Sequence, residues 1–86
     1  MIVGFSDRGW EDYRFWIKND KKLVKRINSL LDDIKRNPDD QNGLGKPERL
    51  KENLKGYISR RITAEHRLVY KIVDELIVIA QCRYYY

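Results

Sequence analysis

The hydrophobic period of this chain switches once, from helical to strand-like, and nothing else in it restricts the fold as strongly. Leu23, Val24, Ile27, Leu30, Leu31 and Ile34 recur three or four residues apart, which predicts a helix running from the Asn19-Asp20 break to Asn37-Pro38. Lys21, Lys22, Lys25, Arg26, Asp32 and Asp33 occupy its other face and keep it solvated. Upstream, Ile2, Val3 and Phe5 read as a short strand. Ser6 then caps a first helix whose apolar face uses Trp10, Tyr13, Trp16 and Ile17. Beyond Gly56 the period falls to two, over residues 57–63, 67–73 and 76–82. Ala64-Glu65-His66 and Asp74-Glu75 separate these segments and are short enough for hairpins. The expectation is an α+β fold: an N-terminal strand, then a two-helix hairpin packed on one face of a twisted, mainly antiparallel sheet.

Alternation assigns the faces of that sheet. Ile58, Ile62, Leu68, Tyr70 and Ile72 belong to the helix-covered side, whereas Ser59, Arg61, Thr63, Arg67, Val69 and Lys71 belong to the other. Arg61 and Arg67 are thus expected to project together from a concave, basic face. Charge is concentrated in the same region. Residues 42–71 hold 8 basic and 3 acidic side chains, while the segments before and after them nearly cancel, within an overall net charge of +5. Such a focused basic stretch suits a polyanion, since neutralised phosphates release condensed counterions.

Other classes are excluded at this point. A chain of 86 residues is one domain's worth, and its 42% hydrophobic and 36% charged content suits a compact fold rather than disorder. No apolar run approaches the roughly 20 residues that cross a bilayer, and the start of the chain turns polar too early for a secretory signal. A membrane association is therefore not expected. One cysteine, Cys82, and one histidine, His66, supply neither a disulfide nor a Cys/His zinc cluster, so a reducing, cytoplasmic setting without metal or cofactor is expected. Gly43-Leu44-Gly45-Lys46-Pro47 looks like a phosphate loop but lacks its spacing and the Ser or Thr after the lysine. It reads as a connector whose Lys46 can still approach a phosphate.

Three runs carry a more specific signal: Gly-Lys-Pro-Glu-Arg-Leu-Lys at 45–51, Ser-Arg-Arg-Ile-Thr-Ala-Glu-His-Arg-Leu-Val-Tyr at 59–70, and the ending Cys-Arg-Tyr-Tyr-Tyr. With Trp10-Glu11-Asp12-Tyr13, they make the chain closely resemble the YoeB/Txe family of bacterial toxins within the RelE/ParE superfamily. The resemblance implies a RelE-like microbial ribonuclease fold and a ribosome-dependent endoribonuclease that cuts messenger RNA and so inhibits translation. It also implies a type II toxin–antitoxin system in which a YefM-like antitoxin of the Phd/YefM family holds the toxin inactive. DNA would be met only indirectly, through that antitoxin. Homodimerisation is a further expectation from the family, with Trp10 and the helical hairpin as contacts.

Metal-free RNA cleavage needs a base for the ribose 2′-hydroxyl, cations for charge on the phosphoryl oxygens, and an acid for the leaving 5′-oxygen. By resemblance the base maps to Glu48. A glutamate carboxylate is ionised at neutral pH, and exclusion of water by bound RNA would raise its proton affinity. Arg67 is the expected phosphate clamp, because a guanidinium offers bidentate donors and keeps its charge. Lys46, Lys51, Arg61, Glu65 and Arg83 are the further RNA-contact candidates, with cross-strand ion pairs to Glu65 or Glu52 as the structural alternative for the arginines. Arg60, on the other side of the pleat, reads as structural or antitoxin-facing, and His66 as a turn or packing residue.

The ending departs from many relatives, which carry histidine where this chain has Tyr85. A phenol is protonated at neutral pH and can transfer its proton to a strongly basic alkoxide, so Tyr85 remains a candidate acid, with Tyr86 sharing the task or stacking on a base. The same departure leaves room for an alternative: a noncatalytic toxin on this fold that occupies the ribosome or targets gyrase.

Overall fold

The computed structural model describes residues 1–85 and realises the expected two-layer α+β arrangement. Strand β1 (Ile2–Phe5) leads into helices α1 (Asp7–Asn19) and α2 (Lys21–Arg36). After a long loop come β2 (Glu48–Arg49), a 3-10 turn over Glu52–Leu54, and strands β3 (Ile58–Arg61), β4 (Arg67–Val73) and β5 (Leu76–Gln81). The sheet order is β1-β5-β4-β3-β2, antiparallel throughout except where β1 runs parallel to β5. That parallel pairing is possible because the helical hairpin and the meander lie between the two strands and form the crossover.

Both helix starts follow the local chemistry of their caps. The Ser6 hydroxyl accepts from the Gly9 amide, and the Asp20 carboxylate accepts from the amides of Lys22 and Leu23. Ile27, Leu30, Leu31 and Ile34 of α2 are buried against Leu68, Tyr70, Ile77 and Ile79 of the sheet. Each such side chain contributes about 1.5–3 kcal/mol relative to an exposed one.

Helix α1 sits differently from the expected apolar stripe. Trp16 is buried, but Trp10 and Ile17 are about half exposed, and the inward positions include Gly9 and Asp12 instead. The reason is the close approach of α1 to β5. A Cβ at Gly9 would lie 2.3 Å from the Ile79 carbonyl oxygen, so only glycine permits this packing. Asp12 is turned inward because its carboxylate accepts from the Cys82 amide at 3.0 Å, which satisfies the backbone just past the end of β5. Trp10 packs at the rim instead, edge-on to Phe5 with ring centroids 5.4 Å apart.

The strands are shorter than the alternation suggested. Tyr57, Ile62 and Thr63 lie outside β3, and Cys82 outside β5. Strand β2 has no signal in the sequence, because two exposed polar residues are held there by pairing alone. A register shift between Val69 and Tyr70 leaves Ala80 as an extra residue in β5, so Gln81 returns to the face of Val69. The Ala80 carbonyl accepts from the Ser6 hydroxyl at 2.9 Å.

Candidate active site

Cross-strand register defines this site. Directly paired residues in neighbouring strands point to the same face. Glu48 pairs with Ser59, Ser59 with Val69 and Val69 with Gln81, forming one row on the face away from the helices. One step along, Arg61 pairs with Arg67. Glu48 and Arg67 therefore share a face, two strands and two residues apart, a Cα separation of about 12 Å at ordinary strand spacing. Side chains of their length can approach one phosphodiester from two sides.

Arg67 is only 8% exposed. Its Nη2 donates to the Tyr85 hydroxyl at 2.5 Å, and its Cζ lies 4.7 Å from the centroid of that ring. Its Nε is buried without a hydrogen-bond partner, and among the described residues it has no ion pair. The expected alternatives, ion pairs of Arg61 or Arg67 with Glu65 or Glu52, do not form there. The Ser59 hydroxyl, opposite Glu48 and diagonal to Arg67, is likewise buried and unpartnered. Two polar groups thus lie on the site face with unused hydrogen-bonding capacity.

This face is not uniformly basic. Leu50, Ser59 and Val69 are buried but stand apart from the main core, and Lys71 places its ammonium 5.2 Å from the Tyr57 ring centroid. Arg61, Lys46 and Lys51 are exposed. Lys46 follows Gly45, whose left-handed backbone lets its carbonyl accept from the Arg61 amide at 2.7 Å. Glu48 is exposed, and Glu65 is exposed at the tip of the β3–β4 hairpin. Arg83 is engaged in packing, with its guanidinium 3.5 Å from the Phe15 ring centroid and 4.6 Å from that of Tyr84. A hollow of about 370 Å³ touches Glu48, but it is lined by residues such as Asp39, Arg49, Ile58 and Tyr70 and does not reach Arg67 or Tyr85. The site is an open surface crossing three strands.

The tail is fixed at several points. The Trp16 indole N–H donates to the Cys82 carbonyl at 2.8 Å, the Tyr84 amide donates to His66 Nδ1 at 2.7 Å, and the Arg67 amide donates to the Tyr84 carbonyl at 3.1 Å. Tyr86 lies outside the described residues. Ser59 and the tail-holding role of His66 were not read from the sequence. For Ser59 the available signal was its place in the same alternating set as Arg61 and Arg67.

Arg60 is on the opposite face and fully buried, so it is structural and does not face a partner. Its Nη1 donates to Asp33 Oδ2 at 2.7 Å and to the Leu44 carbonyl at 2.9 Å, and its Nε donates to the Tyr70 hydroxyl at 3.0 Å. The hydrogen bond from Arg60, joined by the Leu44 amide, holds the Asp33 carboxyl below the usual carboxylate range. Burial raises Tyr70 despite its bond from Arg60. Burial and the nearby Asp12 push the Cys82 thiol up to about 12, leaving it a packing group rather than a nucleophile.

Comparison with solved structures places this architecture among small bacterial toxins. Over its whole length the chain superimposes on the "YoeB/ParE toxin from Agrobacterium tumefaciens", with a TM-score of 0.94 at 44% identity and full coverage of that chain. It superimposes equally completely on the toxin fold in a heterotetrameric YoeB–YefM toxin–antitoxin complex from Staphylococcus aureus, with a TM-score of 0.91 at 53% identity over 98% of that chain. Toxin YoeB of Escherichia coli (strain K12) is 52% identical over 86 residues, all of both chains. The profile of the YoeB-like toxins of bacterial type II toxin–antitoxin systems matches residues 5–86, and the chain belongs to that family.

Proposed function

We propose that this toxin is a metal-independent endoribonuclease that cleaves messenger RNA on the ribosome in the cytoplasm and is held inactive by a YefM-like antitoxin. One observation carries the chemistry: a nine-tenths buried guanidinium, without a carboxylate among the described residues, donates to a tail phenol on the same sheet face as Glu48. A buried cation without an internal counter-charge is costly unless an anion is brought to it. The phosphodiester of RNA is such an anion.

In this mechanism Glu48 removes the 2′ proton, the 2′-oxygen bonds to phosphorus, and the bond from phosphorus to the 5′-oxygen breaks. Tyr85 gives its proton to the leaving oxygen. The products are a 2′,3′-cyclic phosphate and a 5′-hydroxyl. Arg67 has two tasks. Its positive charge offsets charge accumulating on the phosphoryl oxygens, and its bond to Tyr85 stabilises the phenolate left by proton transfer. Arg61, Lys51 and Lys46 hold the flanking phosphates, Glu65 and Arg83 border the RNA, and Tyr86 extends the aromatic tail for stacking.

A YefM-like partner is supported by the S. aureus complex, in which a relative of 53% identity is assembled with YefM. The basic surface would attract an acidic antitoxin segment in competition with RNA. The test is end-mapping of transcripts translated in the presence of purified, antitoxin-free protein. New 5′-hydroxyl and cyclic-phosphate ends are expected, and they should vanish in a Glu48→Ala, Arg67→Ala double variant. Arrested translation with intact transcripts overturns the nuclease reading and favours a noncatalytic toxin.

A further inference from the structure

The step from the last strand to the acid passes through one unusual residue. Tyr84 has φ of 65°, in the left-handed region that side chains other than glycine seldom occupy. Such a conformation persists where the surroundings over-determine it. Here the amide of Tyr84 donates to His66 Nδ1 and its carbonyl accepts from the Arg67 amide, so His66 and the first residue of β4 grip the two peptide groups that flank Tyr84. The next residue along is Tyr85, which meets the Arg67 side chain.

His66 is itself held in place. Its amide donates to the Thr63 hydroxyl at 3.1 Å, its carbonyl accepts from the Ile62 amide at 3.0 Å, and Trp16 stands edge-on to its ring with centroids 4.8 Å apart. Trp16 also bonds the Cys82 carbonyl, so the same indole orients both the histidine and the start of the tail.

We propose that His66 is a positioning residue for the general acid: with Nδ1 bare, its imidazole latches Tyr84 and thereby holds Tyr85 against Arg67. This rests on the reading of Tyr85 as the acid. An amide N–H can donate to Nδ1 only when that nitrogen carries a lone pair, so the hydrogen must be on Nε2. In the imidazolium both ring nitrogens bear hydrogens, and the Tyr84 amide would face an N–H instead of an acceptor. The groups around the ring are the uncharged Trp16 from α1, Tyr84 with Arg83 stacked on it from the tail, Arg67 from β4, and the exposed Glu65 in the hairpin.

The substitutions that test this differ in where they place an acceptor. His66→Asn puts a carbonyl oxygen near the position of Nδ1 and cannot be protonated in the working range, whereas His66→Gln reaches one bond too far and His66→Ala has no acceptor. The single-turnover cleavage rate at saturating RNA is expected to fall roughly ten- to a hundredfold in the Ala and Gln variants, with little change in half-saturating concentration. His66→Asn should restore most of that rate. A histidine needed only for packing would leave Asn no better than Gln.

A second readout needs no activity. His66 is the chain's one histidine, so its ring 15N signals are unambiguous. They should show Nδ1 as the hydrogen-bonded acceptor with the hydrogen on Nε2, and the Tyr84 amide should be protected from exchange in wild type and His66→Asn but not in His66→Ala. A hydrogen on Nδ1 at neutral pH, or Tyr84 protection that ignores His66→Ala, overturns the latch. Tyr85→Phe separates the two ideas: undiminished cleavage there, with the latch signals intact, removes the acid assignment alone.

Discussion

Arg60 and Arg67 stand on opposite faces of the same sheet, both buried, and they solve the problem of a buried cation in opposite ways. Arg60 is enclosed by its own protein, with Asp33, the Leu44 carbonyl and the Tyr70 hydroxyl taking three of its hydrogens, although its Nη2 has no partner. Arg67 meets only a phenol oxygen and is left with an unused Nε and no ion pair among the described residues. One guanidinium ties α2 and the long loop to the sheet. The other keeps its charge available. Charged residues are seldom buried unless paired, so Arg67, with no ion pair among the described residues, is the one on which the proposed RNA contact is built.

This contrast can be broken by substitution. The largest expected effect is on chemistry: Arg67→Ala should lower the single-turnover cleavage rate by about 10³, roughly 4 kcal/mol of transition-state stabilisation, while the urea midpoint barely moves. A variant with a clearly lowered urea midpoint that still cleaves normally while folded would reverse the roles assigned to the two arginines. Next comes Asp33→Ala, which strands Arg60 in the interior and should cost about 3 kcal/mol in urea unfolding with cleavage retained below the new midpoint. Tyr85→Phe removes the transferable proton without removing the ring and is expected to slow cleavage about 10²-fold, with RNA affinity unchanged.

Smaller effects sharpen the same comparison. Tyr70→Phe deletes one acceptor of Arg60 and should cost about 1 kcal/mol of stability without touching the rate. Acid titration examines Asp33. Its carboxyl is depressed in the folded state, so the associated stability is fully present above the unfolded value near 3.9 and is lost as pH falls through the lower folded value. Unfolding measured between about pH 5 and 2 should show this slope, and Asp33→Asn should lack that portion of it.

Much of the framework was legible beforehand because it rests on short-range rules. The spacing in α2, the caps at Ser6 and Asp20 and the hairpin lengths around β4 each act over a few residues. The α1 stripe departs from its spacing at Trp10 and Ile17, because Gly9 and Asp12 become inward positions only when β5 is placed against them. Strand β2 was invisible for a similar reason, since Glu48 and Arg49 acquire strand geometry only by pairing with Ser59 and Ile58.

The candidate site divides in the same way. Alternation placed Arg61 and Arg67 on one face and Arg60 on the other, and the family resemblance pointed to Glu48 and the tail. It did not indicate that Arg67 would be nearly covered, that Arg83 would be stacked between Phe15 and Tyr84, or that His66 would grip the tail through Tyr84.

The order of residues determined both helices, β1 and the three strands of the meander with the faces of most of their side chains, since backbone geometry converts spacing into direction. Tertiary structure decided which buried guanidinium met a carboxylate and which, among the described residues, did not. Those outcomes depend on α2, the 39–47 loop and the C-terminal tail meeting the sheet, and burial and hydrogen-bond partners do not exist until distant segments are packed together.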